Sequence, residues 1–279
     1  MQRSITRKSI NAYKQYLFAA EKAKATVTKY INEAERLAEY LNGNPLNKRA
    51  LLEYRETLAE NFSSRTVNTK LAAINGYLAF IGADEYKVQL LKVQRRAFID
   101  ESRELSAAEY KRLVNAADVG GNDRLSLVMQ TICATGIRIS ELSYITVDAV
   151  KERRMEIRLK GKSRTVIIPS KLCKKLVEYA RRQRIDTGAV FRTKGGKPLD
   201  RANVCHDMKR LCDAAHVERS KVFPHNLRHL FARAFYSIEK NLSHLADVLG
   251  HSSIETTRIY VAASSRQYER MLDKMKLIT

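Results

Sequence analysis

"SSRTVNTKLAAINGYLAFIG", residues 63–82, decides the fold class. Val67, Leu71, Ile74, Leu78 and Ile81 recur at steps of three and four, the period of a helix with one apolar face. Ser63 or Ser64 can cap its start, and Gly82 can end it. The same period runs outward toward the start of the chain. Ile10, Tyr13 and Leu17 share one face, and Val27, Ile31, Ala34, Ala38 and Leu41 share another, before a stop at Gly43. A shorter helix is expected near 48–60. Four amphipathic helices make a small bundle, so residues 1–87 read as a first domain.

Residues 88–105 lose this regularity, gather charge and read as a linker that contacts a polyanion. Ser106 then opens a new helix. In the second domain, 106–279, one stretch breaks the helical pattern. "MEIRLKGKSRTVIIP", 155–169, alternates with period two: Met155, Ile157 and Leu159 lie on one face, answered after a Gly-Lys-Ser turn by Val166 and Ile168. The expected fold is mainly α: a four-helix N-terminal bundle, then a mostly helical domain with a small antiparallel sheet. A closing helix, 264–278, carries an apolar stripe of Tyr268, Met271, Leu272 and Met275.

The chain has 279 residues, 51 Lys+Arg against 30 Asp+Glu, and a formal charge of +21. Residues 1–95 hold +7 of it and the remainder +14. A folded chain this basic repels itself unless a polyanion shares its surface, and nucleic acid is the usual one. No apolar run approaches the roughly 18 residues of a membrane span, and no secretory leader is visible. Cys133, Cys173, Cys205 and Cys212 form no C-x-x-C pair, so a reducing compartment, the cytoplasm, is expected.

Several polar residues sit where packing does not want them. "ATGIRISEL" (134–142) sets Arg138 just after Gly136, with Glu141 one turn on. In "FPHNLRHLFA" (223–232) Pro224 starts a helix, and His225 and Arg228 share a face. In "LGHSSIETTRIYV" (249–261) Gly250 ends one helix, Ser252 with Glu255 can form a capping box for the next, and that helix carries Tyr260. Lys160 ends the first hairpin strand. Singly, each has a plain reading as packing or as a solvated charge. A metal reading needs His244, Asp247 and His251 on one face, or His225 with His229. Gly250 breaks the first set and no cysteine joins either, so no metal is expected.

As an ordered set these residues say more. "TGIRISEL", "HNLRHLFA" and "LGHSSIETTRIYV" resemble the motifs of the tyrosine recombinase, or phage integrase, family, and the likeness spans essentially the whole chain. No arm-binding domain is expected before the bundle, and on that expectation the chain is similar to compact Xer-like or Cre-like members. The resemblance implies site-specific breakage and rejoining of double-stranded DNA through a 3′-phosphotyrosyl intermediate, with no metal or nucleotide cofactor. Tyr260 is the implied nucleophile. Arg138 and Arg228 grip the non-bridging oxygens, His251 donates to them, and His225 is the base. Lys160, or Lys162 beside it, is the acid. Glu141 and His229 stand behind these as supports.

DNA contacts are expected from Lys24, Thr26, Thr28 and Lys29 at the second helix start. Ser64, Arg65, Thr66, Asn68 and Lys70 at the fourth, and Lys162 and Arg164 in the hairpin, are the others. The closing helix is expected to dock into a neighbouring protomer of a DNA-bound tetramer. Two rival readings remain: a non-cutting DNA-binding protein, and a type IB topoisomerase or telomere resolvase. The intact set speaks against the first, and the small bundle and compact length against the second.

Overall fold

The computed structural model describes residues 5–93, 100–159, 162–193, 195–261 and 265–275. They form two compact units, one up to Arg95 and the other from Arg96.

The first unit is four helices: α1 (Arg7–Ala19), α2 (Lys24–Leu41), α3 (Lys48–Asn61) and α4 (Ser64–Phe80). Thr6 and Ser9 form a capping box on α1, and Asn47 caps α3. Asn42 in the left-handed region, followed by Gly43, stops α2. The apolar stripes meet as their period requires: Val67, Leu71, Ile74 and Leu78 of α4 are buried, as are Val27, Ala34, Leu37 and Leu41 of α2. Ser63 is the N-cap position of α4, although its side chain accepts no backbone bond there.

The segment after α4 is not a loose connection. Asn75 exchanges two hydrogen bonds with the backbone of Val88, at 2.8 and 3.1 Å. Asn68 does the same with Leu91, at 2.8 and 2.7 Å. One turn pair of α4 thus holds an extended strap by its main chain, and Val88 is buried in the first core. At the other end Leu105 is buried in the second core. Residues 94–99 lie outside the described residues.

This overturns two expected DNA contacts. The amide of Asn68 is spent on Leu91. Lys70 is buried, its ammonium 3.0 Å from both carboxylate oxygens of buried Glu33. Position 70 falls on the inward face of α4, and α2 supplies the neutralising charge. Lys24, Thr28, Lys29, Ser64, Arg65 and Thr66 are exposed, with Thr26 partly so.

In the second unit, α5 (Ala107–Val119) opens with a capping box of Ser106 and Glu109. Then come α6 (Asp123–Thr135), α7 (Val147–Glu152), β1 (Arg154–Leu159), β2 (Lys162–Ile167) and α8 (Ser170–Arg182). The two strands pair antiparallel with Met155 opposite Val166. Met155, Ile157 and Val166 face the core while Ile167 stands in solvent. Helices α9 (Arg201–Arg210), α10 (Cys212–Ala215), α11 (Pro224–Ile238), α12 (Leu242–Leu249), α13 (Ile254–Val261) and α14 (Ser265–Met275) complete the unit. The expected closing helix is described over Ser265–Met275 only. No helix of the described residues is long and apolar enough to cross a membrane.

Candidate active site

Two helix ends build the centre of the site. Helix α6 stops at Gly136, in the left-handed region at φ +67°, where a Cβ would come within 2.4 Å of the Phe231 ring. Glycine is required there for conformation and for space. Helix α12 stops at Gly250, with φ +66°, in a Schellman turn: Gly250 N–H donates to Asp247 O and His251 N–H to Ala246 O. Each end leaves carbonyls without helical partners. The guanidinium of Arg228, on α11, takes one from each: Nη1 donates to Gly136 O, and Nη2 to Leu249 O at 2.7 Å. The negative ends of two helices thereby stabilise a cation that is 1% exposed. Burial first, then Arg138, lowers Arg228 to about 10, so it stays charged at neutral pH.

The Schellman turn also fixes His251. Its Nε2 lies 2.9 Å from Arg228 Nη2, and its Nδ1 lies 2.8 Å from Thr257 Oγ1. Arginine can only donate, so Nε2 accepts and the proton sits on Nδ1, facing Thr257. The expected hydrogen-bond donor to phosphate therefore has both ring nitrogens engaged in this state. Burial, with Arg228 and Arg138 next, pushes His251 down to about 4.

Arg138 lies two residues beyond Gly136. Its backbone N–H donates to Glu141 Oε2 at 2.7 Å and its Nη1 to Oε1 at 3.1 Å. Glu141 is fully buried and takes a second arginine, Arg164, at 3.1 and 2.7 Å. Burial alone would raise the Glu141 carboxyl, but Arg164 and Arg138 hold it below the usual range. Arg164 was expected to face DNA. Instead its side chain is 13% exposed and lies against Gly250, where a Cβ would meet it at 2.6 Å. Strand β2 aims position 164 inward, and the buried carboxylate captures it.

Tyr260 reaches the same place from α13. That helix begins at Ile254, so Ser253, not Ser252, is its N-cap position. Its inner face is polar: Thr257 and Tyr260 are buried, while Ile254 and Ile259 stand about half exposed. Three imidazoles surround the Tyr260 ring. His251 stacks on it at 5.4 Å, and His229 and His225 stand edge-on at 4.5 and 5.8 Å. The Tyr260 hydroxyl is 3.3 Å from His225 Nε2. Burial first, then His229, Arg228, Arg138 and Arg201, drives His225 down to about 4. It is neutral at pH 7 and able to accept a proton.

The structure thus brings together Arg138, Glu141, His225, Arg228, His229, His251 and Tyr260. Lys160 and the side chain of Lys162 lie outside the described residues. His244 is drawn elsewhere, 3.5 Å from Glu239, and no metal-binding group of three His, Cys, Asp or Glu occurs among the described residues. Sequence reasoning missed Thr257, whose polar side chain on the inner face of an otherwise apolar-edged helix was the available signal.

The arrangement sets a buried guanidinium and three imidazoles around one tyrosine. The phage integrase family model matches residues 103–267, more than half of the chain. Tyrosine recombinase XerA of Thermococcus kodakarensis is 29% identical over 280 residues, covering 96% of this chain and 95% of that protein. Tyrosine recombinase XerA of Pyrococcus furiosus is 25% identical over 278 residues, covering 96% and 94%. A crystal structure of the XerH site-specific recombinase bound to palindromic difH substrate, a post-cleavage complex, matches with a TM-score of 0.74 at 20% identity, over 91% of this chain and 81% of that one. With the motifs, the fold and the matched span in agreement, this chain belongs to the phage integrase family.

Proposed function

We propose that the chain is a site-specific recombinase that cuts and rejoins double-stranded DNA by transesterification at Tyr260. The Tyr260 oxygen attacks phosphorus, the bond to the 5′-oxygen breaks, and the energy of that bond is kept in a 3′-phosphotyrosyl link. The 5′-hydroxyl of another strand reverses the step, so no cofactor is consumed.

The observation that carries this reading is a buried guanidinium that no described carboxylate pairs with, beside a tyrosine hydroxyl 3.3 Å from a neutral imidazole. Arg228, through an Nε–H with no described partner and the remaining Nη1–H, and Arg138 offer donors to the phosphate oxygens, the role a metal plays elsewhere. His225 takes the tyrosine proton. Lys160 or Lys162 supplies the proton the 5′-oxygen needs. A bound phosphate favours the charged form of His251. Protonated at Nε2, that ring turns from accepting to donating and adds a hydrogen bond to the phosphate. Glu141 orients Arg138 and Arg164.

Assembly is part of the proposal. On α14, Met271, Leu272 and Met275 are each more than half exposed, a stripe that a short helix cannot leave in water. We assign its cover to a second copy in a DNA-bound tetramer. Deleting residues 265–279 should leave DNA binding by the monomer intact and abolish higher-order complexes on native gels. A truncated protein that still assembles contradicts this.

The test of function is covalent trapping. The full chain is incubated with randomly nicked DNA from its own source, protein-linked fragments are recovered under denaturing conditions, and these are sequenced. A common site among the adducts is expected, whereas no adduct, or adducts at random positions, defeats the proposal. Binding to the recovered duplex should weaken steeply with salt, each neutralised phosphate adding about 0.9 to the log–log slope.

A further inference from the structure

Helix α11 carries polar side chains along two edges, and only one faces the reaction. His225 and Arg228 form that edge. Asn226, His229 and Arg233 form the other, and it grips the segment that enters the second unit. Asn226 Nδ2 donates to Arg103 O at 2.9 Å, and Arg233 Nη2 donates to Leu105 O at 2.6 Å. Between these main-chain contacts sits the carboxylate of Glu104. One oxygen takes Arg233 Nη1 at 2.6 Å and the other faces His229 Nδ1 at 3.3 Å.

His229 belongs to both edges. Its ring is 4.8 Å from His225 and 4.5 Å from Tyr260, edge-on at 76° to the tyrosine. We propose that Glu104 is a positioning residue for strand cleavage, holding His229 against Tyr260 and so tying the entering segment to the nucleophile. This rests on the reading of Tyr260 as the nucleophile.

The physical case is a chain of contacts with one weak point. The ring of Tyr260 is held by three imidazoles, and its α13 helix is only eight residues long. His251 is fixed by Arg228 and Thr257, whereas the Nδ1 of His229 faces the Glu104 carboxylate. A carboxylate only accepts, so it fixes a proton on Nδ1 and with it the ring's orientation. Burial would raise the Glu104 carboxyl, but His229 and Arg233 hold it lower, which keeps it charged for this task. Misplacing a nucleophile by a fraction of an ångström is costly in rate.

The experiment uses the full chain and the nicked duplex recovered by trapping. Glu104→Gln keeps an acceptor and the side-chain shape but removes the charge. Glu104→Ala removes both. Single-turnover cleavage should slow by about tenfold in Glu104→Gln, with Kd for the duplex within about twofold and the melting temperature nearly unchanged. His229→Gln should slow it similarly, and the double replacement should add little, because both act along one path. Cleavage at the wild-type rate in Glu104→Gln, or losses that simply add, overturns the proposal. So does a rate loss matched by lost affinity or lost stability. Measurements on the free protein separate this inference from the reading of function. Tyr260 ring resonances should move in both Glu104 variants without DNA. If wild-type protein forms no adduct, the functional reading fails by itself, and Tyr260 signals unmoved by either replacement overturn this inference.

Discussion

Lys70 and Arg228 are both buried cations on the inner faces of helices, and they are buried in opposite ways. Lys70, in the first unit, meets Glu33 at 3.0 Å through both oxygens, and Arg36 shares that carboxylate. The charge is cancelled inside the bundle. Arg228, in the second unit, meets carbonyl oxygens of two helix ends and an imidazole nitrogen, and no described carboxylate pairs with it. Carbonyl dipoles orient a guanidinium and soften the cost of burying it, but they leave its net charge in place. A buried cation with a carboxylate is architecture; one without is ready for an anion. The same contrast separates Arg164, tied to Glu141, from the DNA-facing role its position in a basic hairpin had suggested.

The contrast is tested most sharply at Arg228 itself. Arg228→Lys keeps a charge but loses the fork, and cleavage of trapped-site DNA should fall by at least about 100-fold while binding changes little. Lysine activity near wild type would show that charge alone suffices. At Lys70 the expected effect is on stability. Lys70→Met leaves the buried Glu33 carboxylate with Arg36 on one oxygen and no described partner on the other, and should cost about 3 kcal/mol, seen as a lower denaturation midpoint of the full chain. Adding Glu33→Leu should recover most of that loss, with cleavage per folded molecule unchanged throughout. If Lys70→Met instead weakens DNA binding with no loss of stability, Lys70 belongs with the DNA contacts after all.

The smallest effect is with pH. His225 and His251 sit near 4 in the folded protein, against about 6.5 in an unfolded chain. Between these values the unfolded chain binds more protons, so their contribution is full above pH 6.5 and is lost as pH falls toward 4. The melting temperature should drop across that window, and by less in His225→Gln. An equal drop in both proteins would mean that His225 is not held neutral by its surroundings.

What the sequence made legible was local. The α4 stripe, the helix start at Ser106, the hairpin and the glycine stop at 250 each depend on residues within a few positions of one another. The motif set also converged as ordered side chains in one site. What stayed hidden depends on distant partners. Lys70 looked like a helix-start cation because Glu33 lies 37 residues away, and Asn68 looked free because Leu91 lies 23 residues on. The inward turn of Arg164 needs Glu141, 23 residues before it. Thr257 sits unremarked inside the last motif and Glu104 in none, and their roles follow only from the rings they touch.

Everything proposed for the site turns on Tyr260 being the residue that becomes joined to DNA. The direct measurement is to digest the trapped adduct with protease and nuclease and locate the nucleotide-bearing residue by mass spectrometry. The nucleotide remnant is expected on Tyr260, with no adduct from Tyr260→Phe protein that still binds the duplex. A remnant on Tyr236 or Tyr268, or an adduct that persists in Tyr260→Phe, would contradict it.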